Sequence, residues 1–338
     1  MEHSDLKVTL QVENATRVDK ALTEHFQKKG EKWHYALSRN HIKKWFQDKR
    51  VLLDDHPVNA SHMLEHGNHF VKVLKWDPDE LHPPEAAASP RGCFLPVVHE
   101  DDHILVLHKA AGIPSAPLPS SHKDNAENTA VSAALAHFPK LKEIESHSTL
   151  EPGLLHRLDT ATSGLIAFAK DQSTFDDLSK KWGSKPSQFP ITKLYRAVVS
   201  VENGDPKPQK IIAPLGHCHS SKSSKKMIAL NNPPNEHDLK KIRGNPLEAS
   251  TEIIEVKKIK IESKEYWDLL IQIHSGVMHQ IRCHLSHLGF PVLGDVIYGK
   301  TSPSSRLWLH AWKLTIPMHE KLEINVEADL PPHWGSII

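Results

Sequence analysis

The chain has 338 residues, of which 38% are hydrophobic and 25% charged, with a formal net charge of +1. That length allows one large or two ordinary domains, each with a proper core, and the composition is neither that of a disordered chain nor that of a strongly basic nucleic-acid binder. No apolar run approaches a membrane span and no basic-then-apolar leader opens the sequence, so a cytoplasmic protein with no membrane partner is expected.

Between Arg17 and Phe26, the positions Val18, Ala21, Leu22, His25 and Phe26 recur at helical spacing and leave Asp19, Lys20, Thr23 and Glu24 to solvent, which predicts an amphipathic helix. A second helix is expected to start at Ser38, a good N-cap, with Ile42, Trp45 and Phe46 inward. Arg39, Lys43, Lys44, Lys49 and Arg50 flank that face against one acid, Asp48. A run of cations on a helix is usually only a solvated face. Here, however, the order of elements continues through Val51 to Asp54, Pro57-Val58 and Leu64 to Val73, and it resembles the small S4 RNA-binding domain. The resemblance implies that these cations face RNA phosphates, which position a protein without reading sequence. Proline-dense residues 76–93 read as a linker. The expected division is an S4-like domain over 1–75, that linker, and a second domain over 94–338.

The second domain is expected to open with a hairpin of Phe94–Val98 and Ile104–Lys109 around Glu100-Asp101-Asp102. His99 to His103 matches the HExxH pattern of zinc proteases, but that chemistry needs both histidines on one helix face, and strand formers flanking a turn argue against it. Cys93, Cys218 and Cys283 are odd in number and far apart, as reduced structural thiols would be. Ala110 to Pro114 then forms a short connection, residues 117–128 a polar loop, and Thr129 to Ala136 a helix that stops before Pro139.

The most informative stretch runs from Gly153 to Lys170. Leu154-Leu155 and Leu165 to Ala169 are short apolar runs suited to buried strands, and Asp159 lies between them beside the small residues Thr160 to Gly164. An isolated aspartate there is most often an Asx-turn cap, and otherwise a rigidly mounted reactive group. Asp171 next caps a helix through Phe175, Leu178 and Trp182. Lys193 to Val199 alternates as a strand, in which Tyr195 by pattern alone is a core aromatic. Residues 201–260 are more hydrophilic, with short strands at Met227–Leu230 and Thr251–Val256 and turns at 231–236 and 243–246. Lys222, Lys225 and Lys226 sit there without an acid, a candidate phosphate-contacting loop.

After the strand Trp267–Ile273 comes a helix containing Gln280-Ile281-Arg282 and ended by Gly289 and Pro291. Ile281, Leu285 and Leu288 share its core face, while His279, Arg282 and Ser286 share another. Strands at Leu307–Leu314 and Leu322–Val326 close the chain. His279, His284 and His287 tempt a metal assignment, yet no carboxylate joins them, so no metal is expected.

These strings together resemble the RluA family of pseudouridine synthases. Gly153 to Lys170 is similar to its HRLDxxTSGL motif, Lys193 to Val199 to KxYxAxV, and His274 to Gly299 to TGRTHQIRxHLxxLGxPxxGDxxYG. Lys109 to Pro114 is similar to KPxGxP and Leu309-His310-Ala311 to an LHA strand. Thr160 and Ala161 replace a common Lys and Asp, Ala110 a Pro, and Ser275, Val277 and Met278 the Thr, Arg and Thr of the third motif. The resemblance implies that Asp159 is the catalytic carboxylate, that Arg282 pairs with it and that Tyr195 packs against the target base. Arg157, next to the motif's aspartate, is the candidate to occupy the stack vacated by a flipped base. The implied fold is α+β, with a mixed, largely antiparallel catalytic sheet, flanking helices and the small S4-like domain. The implied enzyme is a monomer that needs no cofactor. Its partner is RNA, with large-subunit ribosomal RNA favoured and transfer RNA the alternative. Rival readings are a non-catalytic RNA-binding relative, against which intact Asp159, Tyr195 and Arg282 count, and a metallohydrolase.

Overall fold

A computed structural model of the chain describes residues 5–27, 39–74, 94–117, 128–182, 191–202, 204–219, 226–261, 264–299, 306–318, 322–331 and 334. The chain divides into two compact units, residues 1–85 with 147–150, and residues 86–146 with 151–338. The expected linker over 76–93, Ser38, Cys93, Lys222 and Lys225 lie outside the described residues, as do the side chains of Arg39 and Lys44. No described helix is long and apolar enough to cross a membrane.

In the first unit, β1 (Leu6–Val12) buries Val8, Leu10 and Val12 and exposes Lys7, Thr9 and Gln11, the alternation of a strand with one face on a core. It is followed by β2 (Thr16–Arg17), α1 (Val18–Gln27), α2 (Arg39–Gln47), β3 (Val51–Leu53), β4 (His56–Pro57), β5 (Met63–Leu64) and β6 (Gly67–Val73). The strands form a sheet in the order β1-β6-β3-β4 and a separate β2-β5 pair. Val18, Leu22 and Phe26 of α1 and Ile42 and Trp45 of α2 are buried with Val8, Leu10, Val71 and Val73. Arg17 does not open the helix as expected. It ends β2 opposite Met63 and clamps Asp19 in the first helical turn with two hydrogen bonds of 3.0 and 2.7 Å. The strand β1 is absent from the sequence-based prediction, although its period of two is regular.

The second unit comprises β7 (Val97–Glu100), β8 (Ile104–Lys109), α3 (Ala130–His137), β9 (Ser163–Ala169), α4 (Gln172–Trp182), β10 (Thr192–Val199), β11 (Gln209–Ile212), β12 (Leu215–Cys218), β13 (Met227–Ala229), α5 (Glu236–Lys241), β14 (Ile242–Leu247), β15 (Ser250–Ile261), β16 (Lys264–Ile273), α6 (Gln280–His287), β17 (Leu309–Pro317) and β18 (Glu323–Glu327). Among the described residues its main sheet has the order β11-β15-β16-β10-β17-β9-β8-β7, with β18 also on β17, and a small sheet has the order β13-β12-β14. The β9–β17 pairing is parallel and the other named pairings are antiparallel, so the fold is α+β with a mixed, largely antiparallel sheet, as expected. All seven residues of β9 are buried. This is why its apolar run lacks alternation.

Several boundaries differ from the prediction for identifiable reasons. The hairpin's first strand is Val97–Glu100 rather than Phe94–Val98, because Pro96 cannot donate to a ladder and Phe94 is exposed. Leu154-Leu155 is not a strand: Leu154 makes a single bridge to Phe168 before the chain turns away. Arg243–Pro246 is not a turn but part of β14, while α5 fills a stretch read as irregular and is started by a capping box of Asn235 and Asp238. His99 lies on β7, 3.0 Å from Asp101 Oδ2, and His103 lies in the bend, its Nδ1 2.9 Å from Asp171 Oδ2. The HExxH histidines are therefore not on a helix.

Gly164 has φ +118° and sits so close to β17 that a Cβ would lie 2.2 Å from the Ala311 carbonyl oxygen. Only glycine permits this approach. Beside it, His310 is fully buried, its Nδ1 2.9 Å from Ser163 Oγ. Burial, with His108 and Arg306 adding to it, holds the imidazole pKa down at about 3 against an ordinary 6.5. The unfolded chain thus takes up a proton in this window and the folded chain does not. The stabilisation is complete above about pH 6.5 and is lost as pH falls toward about 3, up to roughly 5 kcal/mol in total. Replacing His310 with Asn is expected to shrink the fall in unfolding free energy between about pH 7 and pH 5 by roughly 2 kcal/mol, measured by urea denaturation. An unchanged fall would exclude His310 as its source.

Candidate active site

Asp159 is held through its neighbours on both sides. Before it, the Leu155 N–H donates to Ala167 of β9, and the Ala167 N–H donates to His156 Nε2 at 3.2 Å. The Ser115 hydroxyl donates to the Leu158 carbonyl at 2.7 Å and accepts the Leu158 N–H at 2.9 Å. After it, the Thr160 carbonyl accepts from the Gly112 N–H at 2.8 Å and from the fully buried Lys109 Nζ at 3.2 Å, while Thr162 N–H closes a turn on the Asp159 carbonyl at 3.0 Å. Lys109 also donates to Ile113 and Ala110, so the Ala110–Pro114 connection is pinned to the Asp159 loop. Each bond is modest alone, and together they fix the carboxylate's mount.

Opposite stands α6. Gln280 anchors its start, donating to the Ser250 carbonyl and Thr251 Oγ1 and accepting from Ser275 Oγ and the Val277 N–H. His284 spends both ring nitrogens on Thr251 Oγ1 and the Ala213 carbonyl, each at 2.9 Å. From the first turn, Arg282 Nη1 donates to Asp159 Oδ2 at 2.8 Å, and its Nε and Nη2 donate to the two oxygens of Asp295 at 2.7 and 2.9 Å. The side chains are 5% exposed for Arg282, 0% for Asp295 and 23% for Asp159. Of the three, Asp159 is the one most exposed to solvent. Burial alone would lower the Arg282 pKa, but the hydrogen bonds and charges of Asp295 and Asp159 outweigh it and hold the guanidinium above its usual range. Burial would likewise raise Asp295, and Arg282 with the Ile297 and Tyr298 N–H groups overrides it. The bidentate, fully buried pair acts as a charged bolt from which one Arg282 nitrogen reaches the more open carboxylate.

Tyr195 lies on β10 in the same unit, buried. Burial, and secondarily the charge of Asp159, raise its phenol above the ordinary range, so it stays protonated near neutral pH. Tyr298 lies with its ring 5.4 Å from the Arg282 guanidinium carbon. His279 Nε2 is 3.8 Å from Asp159 Oδ2, and its Nδ1 is 3.1 Å from the Tyr298 hydroxyl. Lys226 Nζ sits 5.9 Å from the centre of the Tyr298 ring.

The structure therefore pairs Asp159 with Arg282, puts the Tyr195 phenol within electrostatic reach of Asp159 and sets Lys226 beside Tyr298. It does not bring Arg157 to them: that side chain is 62% exposed and paired with Glu151. In the first unit Lys43 and Lys49 are exposed, while Arg50 Nε donates to the Leu74 carbonyl at 2.8 Å. Asp295, His279, Tyr298, Ser115 and Lys109 are missing from the predicted site. Asp295 and Tyr298 stand in the quoted GDxxYG string, which was the available signal. For Ser115 the sequence carries none, because its bonds to Leu158 span 43 positions. Among the described residues no group of three or more His, Cys, Asp or Glu side chains is placed to hold a metal ion.

A family model described as RNA pseudouridylate synthase matches residues 103–287. The chain is 30% identical over 238 residues to a ribosomal large subunit pseudouridine synthase D of Borreliella burgdorferi, covering 70% of this chain and 63% of the relative. It is 26% identical over 312 residues to the protein of the same name from Nitrosomonas europaea, covering 89% and 79%. An uncharacterized RNA pseudouridine synthase of Chlorobaculum parvum is 26% identical over 295 residues, covering 86% and 78%. In fold, the chain is similar to human RNA pseudouridylate synthase domain containing 1, with a TM-score of 0.51 and 21% identity over 70% of this chain and 84% of that one.

Proposed function

Since the chain belongs to the RNA pseudouridylate synthase family, whose model spans more than half of it, we propose that Asp159 is the catalytic carboxylate of an isomerase acting on uridine in large-subunit ribosomal RNA. The observation that carries this is the 2.8 Å bond from Arg282 to Asp159, an open carboxylate on a buried charged bolt. Isomerisation breaks the C1′–N1 bond, turns the uracil and rejoins it through C5. The reaction has no net redox change and transfers no group to or from another molecule. A carboxylate suits it as a nucleophile toward the nucleotide. Arg282 orients Asp159, and Tyr195 supports the base from β10. A uridine in a stem must be flipped out at a cost of a few kcal/mol. Arg157 fills the gap left in the stack by exchanging Glu151 for the nucleic acid.

The first unit, with helices on a short sheet, is assigned the S4-like role over residues 1–75, and 94–338 the catalytic role. Lys43 and Lys49, and Arg39, Lys44 and Arg50 beside them, contact phosphates there, as do Lys222, Lys225 and Lys226 near the site. The enzyme is taken to work as a cytoplasmic monomer. The ribosomal substrate is favoured by the names of relatives that align over most of the chain.

The direct test is tritium release from a large-subunit ribosomal RNA transcript carrying 5-tritiated uridine. Release that persists with chelator is expected. A transcript that releases none, while cellular mapping with and without the gene finds a missing site only in transfer RNA, would overturn the substrate choice. The binding role makes a separate prediction. Replacing Lys43 and Lys49 together with Ala should weaken RNA binding and flatten the slope of log affinity against log salt by about 0.7–0.9 per lost phosphate contact. An unchanged slope in filter binding would remove these lysines from the interface.

A further inference from the structure

The isomerisation leaves one chemical task without an assigned group. When C1′ joins C5, that carbon holds both the sugar and its original hydrogen, and a base must remove the proton. Tyr195 is poorly suited, since burial and Asp159 keep it protonated. Tyr298 is held protonated by burial in the same way, which leaves, among the described rings at the site, His279, whose side chain is 9% exposed.

Its placement is unusual for a structural histidine. His279 occupies the N-cap position of α6, where Ser, Thr, Asp or Asn is preferred, and makes no side-chain cap. Its backbone is left-handed, φ 54° and ψ 20°, a conformation that non-glycine residues adopt mainly where the surroundings enforce it, often at active sites. The ring instead bridges the site. Nδ1 is 3.1 Å from the Tyr298 hydroxyl and Nε2 is 3.8 Å from Asp159 Oδ2.

Tyr298 makes this bridge adaptable. Its hydroxyl accepts the Met227 N–H at 2.8 Å and keeps one proton and one further lone pair. It can therefore donate to Nδ1 or accept from it by turning its O–H. With Nδ1–H donating, Nε2 carries a lone pair. Once Nε2 is protonated, the imidazolium retains its bond to Tyr298 and faces the Asp159 carboxylate, which stabilises it. Imidazole, with an ordinary pKa near about 6.5, suits proton transfer at neutral pH.

We propose that His279 is the base that removes the C5 proton of the target uridine, a role that rests on the isomerase reading above. The C1′–N1 bond breaks and leaves its electron pair on N1; C5 then bonds C1′ with the C5–C6 π pair while the N1 pair moves into an N1–C6 double bond and Asp159 is released from the nucleotide. The C5 proton passes to His279 Nε2 while its bonding pair restores the C5–C6 double bond and the N1–C6 π pair returns to N1. The proton then returns from His279 to N1, directly or through water, and the enzyme ends unchanged.

The test uses the full chain with His279→Gln and His279→Gly, the latter chosen because glycine favours a φ of 54°. On the tritiated ribosomal transcript, both should release tritium about 10²–10⁴-fold more slowly than wild type. His279→Gln should show a larger isotope effect on 5-deuterated uridine than wild type does, because C5–H cleavage becomes rate-limiting. Added imidazole should partly restore His279→Gly. Either signature supports a base, since a purely positioning role slows all steps alike. Slowing with neither signature, or tritium release at the wild-type rate, overturns the proposal. If wild type itself releases no tritium from any RNA, the isomerase reading fails instead.

Discussion

Replacing Asp159 with Asn is expected to abolish tritium release, by at least about 10⁴-fold, as removal of a nucleophile does. RNA affinity should stay within about twofold, because phosphate contacts dominate binding. Asparagine fits the same mount: the bonds that hold the loop run to the backbones of Leu158, Asp159 and Thr160, and its amide oxygen can still accept from Arg282. What it lacks is the second anionic oxygen. A variant within tenfold of the wild-type rate would remove Asp159 from the chemistry, whereas a lost rate accompanied by lost binding would point to a misfolded loop.

The second large effect concerns stability as well as rate. Arg282→Met leaves Asp295, 0% exposed, as an uncompensated buried carboxylate. Breaking a buried pair from one side costs about 3–5 kcal/mol, while replacing both partners with apolar groups is often neutral. The single variant is therefore expected to lose roughly that much unfolding free energy along with its activity. Arg282→Met combined with Asp295→Leu should recover most of the stability and none of the turnover. Denaturant titration of the three proteins decides it. A single variant as stable as wild type would mean that Asp295 is neutralised in some other way, and a double variant with activity would show that Arg282 does not orient Asp159.

Local signals made much of the fold legible. The spacing of Val18, Leu22 and Phe26, the Asp171 cap and the Gly289 stop each mark a helix by chemistry confined to a few residues. The long sheet was legible as strands but not as an order, because β10 lies between β16 and β17 through pairings that no local pattern encodes. Failures fell where context overrides propensity. Leu154-Leu155 has a strand's composition yet makes one bridge, and Arg243–Pro246 has a turn's composition yet pairs with β12. In the site, the pattern i, i+3 placed Arg282 and His279 on one side of a helix. The left-handed backbone that turns His279 toward Asp159 has no signature in residue type, and the pairing of Arg282 with Asp295 spans 13 positions, the rest of α6 and the irregular chain beyond it.

The close approach of Gly164 to Ala311 also bears on how the molecule is made. Ser163 and His310 are neighbours in space but 147 positions apart in the chain. Closing a loop of that length costs about 4 kcal/mol beyond a constant term, before any contact offsets it, and contacts of such separation form slowly. On a chain synthesised from its N-terminus, β8 and β9 can pair early, while the other edge of β9 waits for nearly the whole second unit to emerge. Until then a seven-residue apolar strand, wholly buried in the finished protein, has an open row of backbone donors and acceptors. Nascent chains and C-terminal truncations ending before residue 309 are thus the forms most prone to aggregate, and the strand that follows Asp159 is among the last to gain both its neighbours.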